Sequence, residues 1–358
     1  MRRSFAMSLL LSVAFNIVFS VVTAGCMPQI MRLMNISATL YDNAYHYILI
    51  IVYGLGAMMV YNLLSYICRA LGDSKTPLYF LILASILNII LALVFITVFG
   101  WGVPGSAIAL IIAQSVAAIT CWLYMRRQFP MLRLRRQDWR WNTAFAWQHL
   151  RLGLPMAVQF IIISLGILAI QSVCNTFGPE TIAGFVSATR MEQLALQPMI
   201  SFGIAMAVYT AQNYGAGKYD RIRQGVRQCS LLSLVFCAIA AGAMFALGKD
   251  LVSLFTTKQD PELLADAMLY IHTSVPCYIF LGQIFVFRNA LQGMGISSVP
   301  LISSLLELVG RGGAAFGLAA VWGYFGICLS SPLCWLLACA FTGGCYYYVQ
   351  REMKRAGR

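Results

Sequence analysis

Four charged side chains fall where charge is costly. Arg190 and Glu192 lie in one long apolar stretch, Glu307 and Arg311 in another. A charge at the centre of a bilayer costs about 2.5–3.5 kcal/mol on insertion scales, so each needs a partner or a task. Glu307 and Arg311 are four residues apart, on one face of a helix, and are spaced to pair. A glutamate in such a place can take up a proton or attract a cation, with an arginine resetting its pKa. The competing reading is a structural bridge that lets polar side chains sit in a bundle, and both readings stay open for Glu307 and for Glu192. The Arg-x-Glu pair is expected near its helix start, toward the outer interface. Asn88, Gln159, Gln193, Gln197 and Gln283 either line a cavity or hydrogen-bond between helices. Met156, Met191, Met199 and Met206 supply adaptable apolar surface or core packing. Arg288 is expected near the inner end of its span, snorkelling to the interface. Pro198 predicts a kink that frees backbone carbonyls.

Membrane-spanning helices must position these residues. Of the 358 residues 60% are hydrophobic and 10% charged, against about 25% charged in soluble domains. Ten apolar stretches reach the ~20 residues that a spanning helix needs. They lie near 5–27, 44–68, 78–99, 103–125, 153–177, 182–211, 228–247, 267–291, 299–321 and 325–349. None shows the alternation of a barrel strand, so the fold expected is an all-α polytopic membrane protein. Enzyme chemistry finds no support. His46, His149 and His272 are far apart, and no Walker A, Gly-x-Ser-x-Gly or His-Glu-x-x-His pattern occurs. Without an ATP site, transport would draw on an ion gradient, and no cofactor or metal is expected.

The net charge of +13 is topogenic. With the N-terminus inside, the inner segments hold Arg2, Arg3, Arg69, Lys75, the arginines from Arg126 to Arg151, Lys218, Arg221, Arg223, Arg227 and Arg351 to Arg358. The outer segments hold only Arg32, Lys249 and Lys258 as bases, with Asp42, Glu180, Asp250, Asp260, Glu262 and Asp266. This positive-inside bias places both termini in the cytoplasm and argues against a nucleic-acid partner. The eleven cysteines have no Cys-x-x-Cys spacing and read as small residues packing helices. Arg2-Arg3, an apolar run and Cys26 mimic a lipoprotein signal, but the equivalent region of a second copy is internal and cannot be cleaved.

That second copy organises the chain. Gly72, Ser74 and Pro77 recur as Gly295, Ser297 and Pro300, and Trp101, Gly102 and Gly105 recur as Trp322, Gly323 and Gly326. Copy two carries residues 142 to 226 ahead of the matching region, and copy one has no such head. The expectation is a parallel repeat of two pseudo-symmetric lobes, the first lacking two helices. The N-lobe is assigned to 1–127, a basic linker to 128–151 and the C-lobe to 152–358. Trp139 and Trp141 among arginines suit an interfacial helix on the lipid headgroups, or a solvated connector. About 85 further residues are expected in frame upstream of Met1, the length that copy one lacks.

Residues 188–221 are the most specific stretch. They contain Ala188-Thr189-Arg190-Met191-Glu192-Gln193-Leu194, Gln197-Pro198-Met199 and Gln212-Asn213-Tyr214-Gly215-Ala216-Gly217-Lys218. With Gly153-Leu154-Pro155, the Arg69–Pro77 loop, Asn88-Ile89-Ile90-Leu91 and Trp101–Ala107, the chain closely resembles the multidrug and toxic compound extrusion (MATE) family. The resemblance implies two six-helix lobes around a cavity. It also implies antiport of organic cations or drugs against Na⁺ or H⁺, by a monomer in the bacterial cytoplasmic membrane. Cationic or amphipathic small molecules and membrane lipids would be its partners. The chain would begin at the family's third helix and lacks the acid that the first helix often carries. Ala92 stands where many members have Asp in the fifth helix, and the seventh and tenth helices have no interior acid. Coupling is therefore expected in the second lobe, around Glu192 and Glu307, with Arg190 and Arg311. The alternatives are a lipid-linked oligosaccharide flippase of the same superfamily and a truncated, non-transporting membrane remnant.

Overall fold

The computed structural model describes residues 2–33, 38–255 and 260–355, so Lys258 and Arg358 of the charge pattern lie outside the described residues. These residues form helices and no strand. In chain order they are α1 (Arg2–Gly25), α2 (Met27–Leu33), α3 (Ala38–Ala70), α4 (Lys75–Leu93), α5 (Gly102–Gln128), α6 (Thr143–Cys174), α7 (Pro179–Gly215), α8 (Tyr219–Phe255), α9 (Pro261–Ser274), α10 (Tyr278–Gly293), α11 (Ser298–Trp322) and α12 (Tyr324–Arg355). Among the described residues ten segments are long and apolar enough to cross a membrane, in the order expected. One of them is made of two helices. Pro276 lacks the N–H that a continuous helix would use, and a 3₁₀ turn over Val275–Cys277 joins α9 to α10.

Of the two readings of the linker, the interfacial helix is not formed. Residues 130–142 hold two short 3₁₀ turns, Pro130–Leu132 and Arg136–Trp139, rather than an interfacial helix. The next helix starts about ten residues earlier than its apolar run, because Asn142 Oδ1 accepts the Phe145 N–H at 2.9 Å and so caps α6. Leu132 is buried against the core that contains Phe5 and Cys121, which ties the linker to the first unit.

Two compact units result, Met1–His149 and Leu150–Arg358. In the first, α5 buries Ala109, Ala113, Ala117 and Cys121 on one face. This small-residue seam lets α3 approach closely, and a Cβ at Gly54 of α3 would overlap the Ile111 side chain. The second unit buries a larger core, with Met191, Met199, Ile284, Ile327 and Trp335 all nearly inaccessible. There a Cβ at Gly184 of α7 would come within 2.7 Å of Leu263 O on α9. One at Gly310 of α11 would come within 2.8 Å of Cys334 Sγ on α12. These close approaches bring the polar faces of α7, α9, α11 and α12 together.

The backbone preserves the sequence repeat. Gly72 and Gly295 end α3 and α10 at φ 94° and 81°, and Gly102 and Gly323 sit at φ 57° in the α4–α5 and α11–α12 turns. Side chains with a Cβ rarely adopt that region.

Candidate functional site

Five charged residues of the second unit, Arg190, Glu192, Arg288, Glu307 and Arg311, line one cavity of about 710 Å³. Five packed segments reach it: α6 through Ile163 and Gln171, α7 through Phe185 to Leu196, the broken α9–α10 span through Tyr270 and Arg288, α11 through Glu307 and Arg311, and α12 through Ser331 and Trp335.

Glu307 is buried at its wall. Arg288 donates to Glu307 Oε1, and Arg311 Nη2 lies 3.6 Å from Glu307 Oε2. Arg288 Nη2 also donates to Ser303 Oγ at 3.0 Å. The expected i,i+4 pair is therefore present, but it is two-thirds of an Arg–Glu–Arg triad. Arg288 does not snorkel, contrary to expectation. It is buried, and its guanidinium turns inward because α11 folds back along α10 and offers Glu307 and Ser303 as acceptors. A signal for this existed: Arg288 and Glu307 both lie within a few turns of the α10–α11 hairpin, where an antiparallel register sets them opposite one another.

Glu192 is held differently. It lies thirteen residues into α7, about 20 Å along the helix, deeper than the interface expected from sequence. It is half-buried, and Tyr270 Oη donates to its Oε2 at 2.7 Å. Phe185, two turns earlier on α7, meets the Tyr270 ring edge-on at 5.3 Å and fixes that phenol. Arg311 lines the same cavity as Glu192. Arg190 is exposed, and among the described residues no carboxylate comes within ion-pair distance of it. Residues two apart on a helix do not face one another.

The uncharged candidates divide. Gln193 is exposed and lines the cavity, whereas Gln197 is exposed and does not. Gln159 is buried and accepts from Gln292 Nε2 at 3.0 Å, joining α6 to α10. Gln283 Nε2 donates to Ser230 O at 3.0 Å, joining α10 to α8. Asn88 belongs to the first unit, where its Oδ1 has no partner among the described residues. Tyr270 and Trp335 are cavity residues that the sequence reading missed, since an aromatic in an apolar run carries no mark of its role. No group of His, Cys, Asp or Glu among the described residues has metal-site geometry.

Residues 1–94 and 155–311 match the MatE family model, most of the chain. The chain belongs to the MatE family. Its relatives include the "Probable multidrug resistance protein YpnP" of Bacillus subtilis, 28% identical over 78% of this chain and 62% of the relative. "Probable multidrug resistance protein YoeA" of the same organism is 26% identical over 84% and 65%. The MatE chain thus spans somewhat under two-thirds of the length of these curated relatives. A solved "Outward-facing conformation of a multidrug resistance MATE family transporter of the MOP superfamily" superposes with a TM-score of 0.91, at 19% identity, covering 98% of this chain and 83% of that one. At that identity the likeness speaks for the fold: an all-α membrane protein of MATE architecture.

Proposed function

We propose that this MatE chain works in secondary export at the bacterial plasma membrane, moving organic cations or drugs outward in exchange for Na⁺ or H⁺. The observation that carries this reading is the inequality of the two cavity glutamates. Glu307 is neutralised between two guanidinium groups, so an added cation has little to gain there. Glu192 meets one phenol and has a free carboxylate oxygen facing a space large enough for a small molecule. It is the acid placed to exchange a substrate cation for a coupling ion. The apolar walls from Ile163, Phe185 and Leu281 suit an amphipathic body.

The names of the reported relatives, both multidrug resistance proteins, also support drug export and weigh against the flippase alternative. The test is gradient-driven efflux of a fluorescent cation from vesicles holding the chain, with a proton or a sodium gradient imposed in turn. Glu192→Gln is expected to abolish gradient-driven flux while the protein still inserts and folds. Undiminished flux in that variant would sink the reading.

A further inference from the structure

The segment joining α5 to α6 concentrates charge that the cavity does not use. From Arg126 to Arg151 every base is an arginine, and the one acid is Asp138. Arg126, Arg127, Arg133, Arg135, Arg136 and Arg140 are all exposed, and among the described residues no carboxylate comes within ion-pair distance of them. Asp138 turns its Oδ2 to the Arg135 N–H, which it accepts at 2.8 Å. Two contacts hold the segment down. Leu132 is buried in the first unit's core and Leu134 packs against that core, so the arginines cannot stand away from the helix ends. Arg133 Nε donates to Arg126 O at 3.3 Å, which sets Arg133 against the last turn of α5, the turn that carries Arg126 and Arg127. Like charges held this close lack a counter-charge of their own. Trp139 and Trp141 in the same segment are 40% and 56% exposed. Aromatic surface left in water is unfavourable, and tryptophan next to a span is characteristic of the headgroup layer.

We infer that the arginine segment between α5 and α6 binds anionic phospholipid of the inner leaflet, with its guanidinium groups on the headgroup phosphates and Trp139 and Trp141 in the headgroup layer. A phosphodiester offers paired oxygens that match the planar guanidinium fork, whereas a lysine ammonium meets them as a point charge. The positive-inside bias needs charge alone, and lysine would satisfy it equally. A bilayer also supplies what a free phosphate cannot, an apolar margin for two indoles. The surface position needs no interfacial helix, because the flanking spans end at Gln128 and begin at Thr143. The site involves none of the cavity residues, and it stands whether or not the chain exports.

Amide hydrogen exchange tests it, with the full chain in nanodiscs of phosphatidylcholine alone or mixed with phosphatidylglycerol. Residues 129–142 are expected to exchange about tenfold more slowly when phosphatidylglycerol is present, since several basic side chains at an anionic surface act together. The variant R133Q/R135Q/R136Q/R140Q changes only exposed side chains. It should melt like the parent in phosphatidylcholine and reduce the difference to about twofold or less. Salt should shrink the difference in the unaltered chain too, because the Debye length falls from about 10 Å at 0.1 M to about 3 Å at 1 M. Equal exchange of residues 129–142 in the two lipids would overturn the inference, as would protection that survives the quadruple substitution. Inorganic phosphate added to phosphatidylcholine nanodiscs should give no protection; if it does, the segment takes a free anion and the lipid assignment falls. Equal protection of the α7–α8 turn, residues 215–218, would mark a general effect of the charged surface and would also defeat the assignment.

Discussion

The two copies of the repeat share their glycine turns and differ in what they bury. Ser65, Ala84 and Asn88 in copy one stand where copy two has Arg288, Glu307 and Arg311, each 223 residues on. In copy one the first two are almost inaccessible and uncharged, and Ser65 Oγ accepts from Arg69 at 2.7 Å. In copy two the same positions hold a buried triad beside a cavity. The helix pairs and turns kept by both copies therefore do not require charge. The triad is an addition to a scaffold that closes without it, which marks it as chemistry placed on the fold.

Breaking the triad should give the largest effect. Glu307→Gln leaves two buried guanidinium groups without their counter-charge and is expected to cost about 3–5 kcal/mol. In detergent this is read as a loss of yield and a large fall in melting temperature. Installing copy one's residues together, as R288S/E307A/R311N, removes every charge at once. That removes the uncompensated charge which makes the single variant costly, while the shorter side chains add a cavity cost of their own. The triple variant is thus expected to fold better than the single one. A triple variant as unstable as Glu307→Gln would show that copy two needs its charges to close, and the comparison would fail.

The positions that the copies share should respond alike. Gly323 has φ 57° and ψ −138°, a region essentially confined to glycine. Gly323→Ala is expected to cost about 1–3 kcal/mol. Gly102, at the same φ, should cost a similar amount in the first unit. Guanidinium or SDS titration of the two variants checks this, and a strong inequality would show that the two turns bear different loads.

These pairs also show why the fold was more legible than the site. Apolar length, the glycine turns and the repeat are all local or periodic in sequence, and they placed ten spans in order. The i,i+4 spacing of Glu307 and Arg311 is local too, and their pairing was readable. Arg288 meets Glu307 across the α10–α11 hairpin, and Tyr270 meets Glu192 because α7 and α9, far apart in sequence, pack at particular rotations about their axes. That rotation is set by close approaches such as Gly184 on Leu263 O and Gly310 on Cys334, which leave no charged or polar mark. The linker stayed open between a surface helix and a connector for a related reason: arginines with tryptophans suit either, and Asn142 caps α6 and leaves only two 3₁₀ turns before it.

The smallest effect expected separates the copies outside the membrane. Asp73 lies in the α3–α4 turn of copy one, and copy two has Ile296 in its place. Partial burial pushes its carboxyl up, but hydrogen bonds outweigh this. The Thr76 N–H donates to Oδ1 at 3.0 Å, and Tyr124 Oη donates to Oδ2 at 2.8 Å, so Asp73 is held below the ordinary value of 3.8. A carboxyl whose pKa is lower folded than unfolded stabilises the fold above the unfolded value, and that contribution disappears as pH falls through the folded one. The first unit should therefore lose a little stability as pH falls below the ordinary carboxylate value and through the lower folded one. Asp73→Asn should be slightly less stable than the parent at neutral pH, with the two melting curves converging on acidification. The exposure of the turn keeps the difference small, because water screens the interaction. Leu71 and Gly72 should respond with it in amide exchange, since Asp73 N bonds Cys68 O and Gly72 N bonds Arg69 O within the same turn. The equivalent turn of copy two, closed by the Ile296 N–H on Leu291 O without a carboxylate, should show no such pH dependence.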